Sequence, residues 1–133
     1  MRQKLFIFLI LISALLAGRH LFRQGLFTMH DDLQVGRLYE MRKCISDKQI
    51  PCRWVPDMGY GYGYPLFNYY PPLPFYAGYG LNLLGFNLIA VTKLLFFIGI
   101  VGGGVFMYHL GNKLWGQWGG FVSGIFYTWA PYK

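Results

Sequence analysis

The sequence predicts an all-α membrane protein, with about three transmembrane helices and a long outer loop that carries short amphipathic helices. Three observations predict it. Hydrophobic residues fill 55% of the 133 positions and charged residues only 13%, too few charges to coat a soluble surface of this size. Long apolar runs lie toward both ends, and a polar segment followed by a Pro- and Tyr-rich one separates them. The low charge and high hydrophobicity also exclude a disordered chain.

The net charge of +7 suggests nucleic acid, which would need Lys and Arg gathered on one face. They are scattered instead. Seven of the twelve bases share the segment from Arg19 to Asp57 with all five acids, leaving it only +2, and most of the others flank apolar runs. That is the pattern of membrane borders, so the expected partner is the lipid bilayer and not nucleic acid.

The first helix is expected over about 5–24. Its apolar part, Leu5 to Ala17, gives about 20 Å at ~1.5 Å per residue, short of a ~30 Å hydrocarbon core. Extension past Arg19 and Arg23 corrects this, because their long side chains reach toward headgroups. A cleaved signal peptide is the rival reading, but Leu15 stands where a small residue is wanted.

The outer loop is expected over about 25–86. Within it, residues 28–50 have helical spacing, with Leu38, Met41 and Ile45 on one face and Arg37, Glu40 and Lys43 pointing elsewhere. Pro51 ends that helix. The segment Pro51 to Gly80 holds six of the seven prolines and seven of the eleven tyrosines, which forbids a continuous helix and predicts an aromatic loop at the membrane surface. Leu73 to Leu84 forms a short interfacial helix closed by Gly85. Asn87 then caps a second spanning helix over about 88–110, followed by a polar turn at 111–116. A third helix over about 115–131 is too short to span, so the chain is expected to be the front part of a longer one.

His30-Asp31-Asp32 is the compact group able to do acid-base chemistry or hold a divalent cation. A helix N-cap with a first-turn acid explains the same residues. Tyr60, Tyr62 and Tyr64, with Trp54, Phe67, Asn68, Tyr69 and Tyr70, suit a sugar platform of rings and an amide, or equally an interfacial aromatic belt. Cys44 and Cys52 offer either a disulfide or two free thiols; they do not make a four-ligand zinc site. Lys93, near the start of the second spanning helix, either snorkels or meets an anion. Gly99, Gly102, Gly103 and Gly104, with Gly116, Gly120 and Gly124, suit close helix packing in lipid. Charge counts near the first helix leave the orientation open.

The arrangement resembles the opening of the GT-C membrane glycosyltransferases. More closely, His30 to Met41, Gln49 to Asp57, Gly59-Tyr-Gly-Tyr-Gly-Tyr-Pro-Leu-Phe-Asn-Tyr-Tyr70 and Ala130-Pro-Tyr132 resemble a bacterial multi-spanning family labelled 6-pyruvoyl-tetrahydropterin synthase-related, over essentially the whole chain. The label does not imply pterin chemistry. The resemblance implies transfer of a sugar from a polyprenyl-phosphate donor, with Asp31 or Asp32 as catalytic base. His30, Tyr60, Tyr62, Tyr64, Asn68 and Lys93 are then the candidate substrate-binding residues. It also implies a bacterial plasma membrane protein with a cytoplasmic N-terminus and an extracytoplasmic loop. Activity is expected of a longer chain, since most of a donor and acceptor groove lies beyond three helices. The alternative is a non-catalytic membrane subunit whose aromatic loop binds a partner or lipid; a carrier element using Lys93 and the acids is the third reading.

Overall fold

A computed structural model describes residues 2–25 and 33–130. Among these the regular structure is entirely helical, as α1 (Arg2–Ala17), α2 (Gln34–Ser46), α3 (Leu66–Tyr69), α4 (Leu73–Leu83) and α5 (Leu88–Thr128), with a 3-10 turn at Arg19–Phe22. The chain divides into two compact units: Met1–Phe27 with Phe96–Lys133, and Thr28–Leu95. One element among the described residues, α5, is long and apolar enough to cross a membrane.

In the first unit, α1 ends sooner than the expected 5–24 helix: at Gly18 the chain tightens into the 3-10 turn. At ~1.5 Å per residue its sixteen residues give about 24 Å. The 88–110 and 115–131 helices are joined within α5, because 111–115 is helical and only Gly116 breaks the backbone, at φ 75° and ψ −178°. A side chain is strained in that conformation, so the reversal falls on glycine. Beyond it the arm 117–128 returns antiparallel along 103–111. A Cβ on Gly104 would stand 2.7 Å from Thr128 Cγ2, and one on Gly120 would stand 2.6 Å from the Tyr108 carbonyl oxygen. The glycines thus act as packing residues at 103, 104, 111, 120 and 124, while Gly99 and Gly102 face open space. Helix α1 closes against both arms through Phe6, Ile10 and the stacked Phe6–Phe121 rings. Ser13 accepts a 2.8 Å hydrogen bond from the Trp129 indole, and its hydroxyl lies 3.4 Å from that of Thr128.

In the second unit, α2 packs on α4 and on the first turns of α5 around Leu38, Met41, Val55, Leu66, Phe75 and Val91. Gly78 allows the approach: a Cβ there would meet Leu38 Cδ1 at 2.6 Å and Leu95 Cδ1 at 3.1 Å. Helix α2 is shorter than the 28–50 segment expected. Its N-cap residue is Leu33, which makes no side-chain cap hydrogen bond. Helix α4 covers the helix expected over 73–84 to within one residue, and Gly85, at φ 96°, follows its C-cap Leu84. Asn87 Oδ1 accepts the Ala90 N–H at 2.8 Å, satisfying one free amide at the start of α5.

Candidate functional site

The second unit is built around a loop that α2 grips. Cys44, near the end of α2, is bonded to Cys52, and both are buried. Gln49 Oε1 accepts the N–H groups of Arg53 at 3.1 Å and Trp54 at 2.9 Å, which fixes the chain as it leaves Pro51. The Tyr76 hydroxyl accepts the Cys52 N–H at 2.8 Å, tying the same bend to α4. Val55 and Tyr64 then exchange paired backbone bonds of 2.9 Å, closing residues 55–64 into a hairpin-like loop. Its tip explains the Gly-Tyr alternation: Gly59, Gly61 and Gly63 adopt φ of 65°, 86° and 85°, and the Trp54 indole lies directly on Gly63.

The loop folds over the side of α2 that carries Arg37, Glu40 and Lys43. Arg37 and Glu40, one turn apart, are only 5% and 3% exposed. The returning loop, with α3 behind it, covers them. Asp57 receives Lys43 Nζ on both carboxylate oxygens, at 2.6 and 2.7 Å. This partner holds the Lys43 pKa above the usual lysine range. Burial pushes the Glu40 carboxyl above its usual range, only partly opposed by a hydrogen bond from the Asp57 backbone. Glu40 Oε2 is buried with no hydrogen-bond partner.

Between α2 and this loop lies an open cleft of about 500 Å³, lined by Leu33, Arg37, Met58, Gly59, Tyr64, Leu66 and Tyr70. Arg37 Nη2 donates to the Tyr70 hydroxyl at 3.0 Å, and the guanidinium carbon stands 4.0 Å from the Tyr70 ring centre. A buried cation stacked on a phenol suits a phosphate or carboxylate, while Leu33, Met58 and Leu66 suit an apolar group joined to it. Its described lining residues include no carboxylate or imidazole.

Of the residues singled out from sequence, Tyr64 and Tyr70 line the cleft. Tyr60 and Tyr62 stand out from the loop almost fully exposed, Asn68 lies on the exposed side of α3, and Lys93 is half-buried in α5. These four do not gather around Tyr64. His30, Asp31 and Asp32 lie outside the described residues. Among the described residues no three of His, Cys, Asp and Glu come together to hold a metal ion. Arg37 and Glu40 were missed as site residues. The available signal was a pair of charges one turn apart on a helix followed by a segment too rich in rings to stay off its surface.

Comparison with family models, curated proteins and solved structures finds no match for the chain.

Proposed function

We propose that the chain is the N-terminal part of a GT-C-like integral membrane glycosyltransferase, and that its cleft receives the anionic end of a polyprenyl-phosphate-linked sugar donor. The observation that carries this reading is Arg37, a cation buried at an aromatic and aliphatic cleft whose walls match an amphiphilic anion. The Cys44–Cys52 disulfide supports an oxidising, extracytoplasmic setting for the second unit, with the N-terminus in the cytoplasm. In this reading Asp31 or Asp32 takes the proton from the attacking hydroxyl, since a carboxylate within reach of that hydroxyl is the usual base for such a transfer. In place of that role, the same acids would hold a divalent cation that neutralises the departing phosphate.

The test is sugar transfer in membranes containing the full-length protein, with Asp31→Asn and Asp32→Asn made singly and expression checked. Asn caps a helix about as well as Asp but is no base, so loss of about a hundredfold to ten-thousandfold in rate supports the enzyme reading. Normal transfer by both variants overturns it. The alternative, a non-catalytic subunit whose aromatic loop binds a partner or lipid, is favoured by the full exposure of Tyr60 and Tyr62. It predicts that Tyr60→Ala with Tyr62→Ala abolishes association while both Asn variants remain active.

A further inference from the structure

The loop that walls the cleft is tied to α2 by bonds that meet at Asp57. Its carboxylate takes Lys43 Nζ on both oxygens, and its backbone N–H donates to the Glu40 carboxyl. Met58 and Gly59, which follow it directly, line the cleft together with Tyr64 at the other end of the loop. Between them the loop closes on itself: the Gly63 N–H donates to the Met58 carbonyl at 2.9 Å, and the Tyr62 N–H to the Gly59 carbonyl at 3.1 Å. It can therefore move as one piece about its base, where Val55 and Tyr64 exchange their backbone bonds.

The three groups at this junction differ in exposure. The Lys43 and Asp57 side chains are 37% and 46% exposed, and an ion pair at the edge of water is a weak tie. Glu40 is buried, and its Oε2 has no hydrogen-bond partner. With a proton, Glu40 is a neutral acid able to donate to the Asp57 carboxylate, and one carboxylate then faces one ammonium. Without it, two carboxylates share Lys43, and one of them is held out of water. Burial and the Asp57 charge both favour the proton. Of the other ionisable groups on neighbouring elements, Arg37 is stacked on Tyr70, α4 contributes the phenols Tyr76 and Tyr79, and α5 contributes Lys93 within this unit. An ionised Glu40 regains water most simply by the lifting of its cover, and the loop can lift without unwinding a helix.

We propose that Glu40 is a proton-operated latch on the 55–64 loop: protonated, it binds Asp57 and holds the loop against α2; on losing its proton to water it releases Asp57, and the loop lifts and opens the cleft. The latch thereby controls whether Met58, Gly59 and Tyr64 stand opposite Arg37 as one binding wall. That the gated cleft receives a polyprenyl phosphate rests on the functional reading above; the movement of the loop does not.

The test measures the distance from the loop tip to α2 in the detergent-solubilised full chain, by double electron-electron resonance between spin labels at Tyr60→Cys and Arg42→Cys. Both positions are exposed, and the native cysteines, being bonded, take no label. Samples at about pH 5, where an ordinary Asp is ionised, and at about pH 8 are compared with and without Glu40→Gln. The expected result is a short, narrow distance at the lower pH and a shift to longer, broader distances at the higher. Glu40→Gln should keep the short distance at both, with circular dichroism unchanged throughout. A distance that does not change with pH, a shift that persists in Glu40→Gln, or loss of helix at the higher pH overturns the proposal. A short-chain polyprenyl phosphate added at the higher pH should bind severalfold more weakly to the parent than to Glu40→Gln. Equal binding by both overturns the gating. A loop that moves as expected, with no binding at either pH, supports the latch and overturns the donor reading.

Discussion

Arg37 and Tyr70 meet in two ways at once: the guanidinium lies 4.0 Å from the centre of the ring while Nη2 donates 3.0 Å to its hydroxyl. The first contact needs the ring and the second needs the oxygen, so Tyr70→Phe separates them. That variant is expected to cost about 1 kcal/mol of stability, the usual worth of one such bond, and to keep the fold. Tyr70→Ala loses the stacking as well and should cost more. Denaturant unfolding followed by circular dichroism measures both, and equal losses would show that the ring contributes nothing.

Glu40 makes the second unit sensitive to pH. Its carboxyl is raised above the ordinary value by burial, so the folded state holds its proton more tightly than the unfolded state does. Stability from this group is therefore fully present below the unfolded value of about 4.3 and is lost as pH rises through the higher folded value. Glu40→Gln keeps an acceptor for the Asp57 N–H and carries no charge. The expected outcome is that the variant loses this downward slope and is the more stable protein near neutral pH. Parallel stability profiles for the two proteins would contradict the assignment.

Gly78 and Gly80 belong to the same helix and should respond oppositely to alanine. At Gly78 the new methyl meets Leu38 Cδ1 at 2.6 Å, and Leu38 is itself buried, so crowding of about 1–3 kcal/mol outweighs the gain in helix propensity. Gly80 has open space, and Gly80→Ala should stabilise by about 0.5–1 kcal/mol. Thermal unfolding of the two variants checks the sign of each.

The Cys44–Cys52 bond closes a short loop, since the cysteines are only 8 positions apart. The chain-entropy account gives it about 2–3 kcal/mol. Reduction should lower the unfolding free energy of the second unit by that amount, and alkylation of the denatured protein should add mass only after reduction. Full alkylation without reductant would contradict the bond.

The helical class, the α4 segment and the Asn87 cap were legible because each rests on a local signal: apolar runs, Pro and Gly breaks, and an Asn before an apolar stretch. The end of α1 at Gly18 and the survival of helix through 111–115 were not. Both are set by packing against other helices, which outweighs the weak preferences of single residues. The cleft was half legible. The Gly-Tyr block announced an ordered aromatic loop, but spacing along α2 cannot tell that Arg37 and Glu40 are covered by residues some twenty to thirty positions away. Such long-range closure depends on the 55–64 backbone pairing and on the Lys43–Asp57 ion pair, neither of which has a periodic signature.

The central claim is that Arg37 makes the cleft a receptor for the charged end of a lipid-linked donor. It is tested most directly by titrating a short-chain polyprenyl phosphate, and the uncharged polyprenol as control, into the detergent-solubilised protein and its Arg37→Gln and Arg37→Lys variants. A hydrogen bond to a charged group is worth about 1.5–3 kcal/mol, so Arg37→Gln should weaken phosphate binding about tenfold to a hundredfold. Arg37→Lys, which keeps the charge but not the forked geometry, should fall between it and the wild type. Equal affinity of the wild type and Arg37→Gln for the phosphate, or equal binding of the phosphate and the alcohol, would contradict the account.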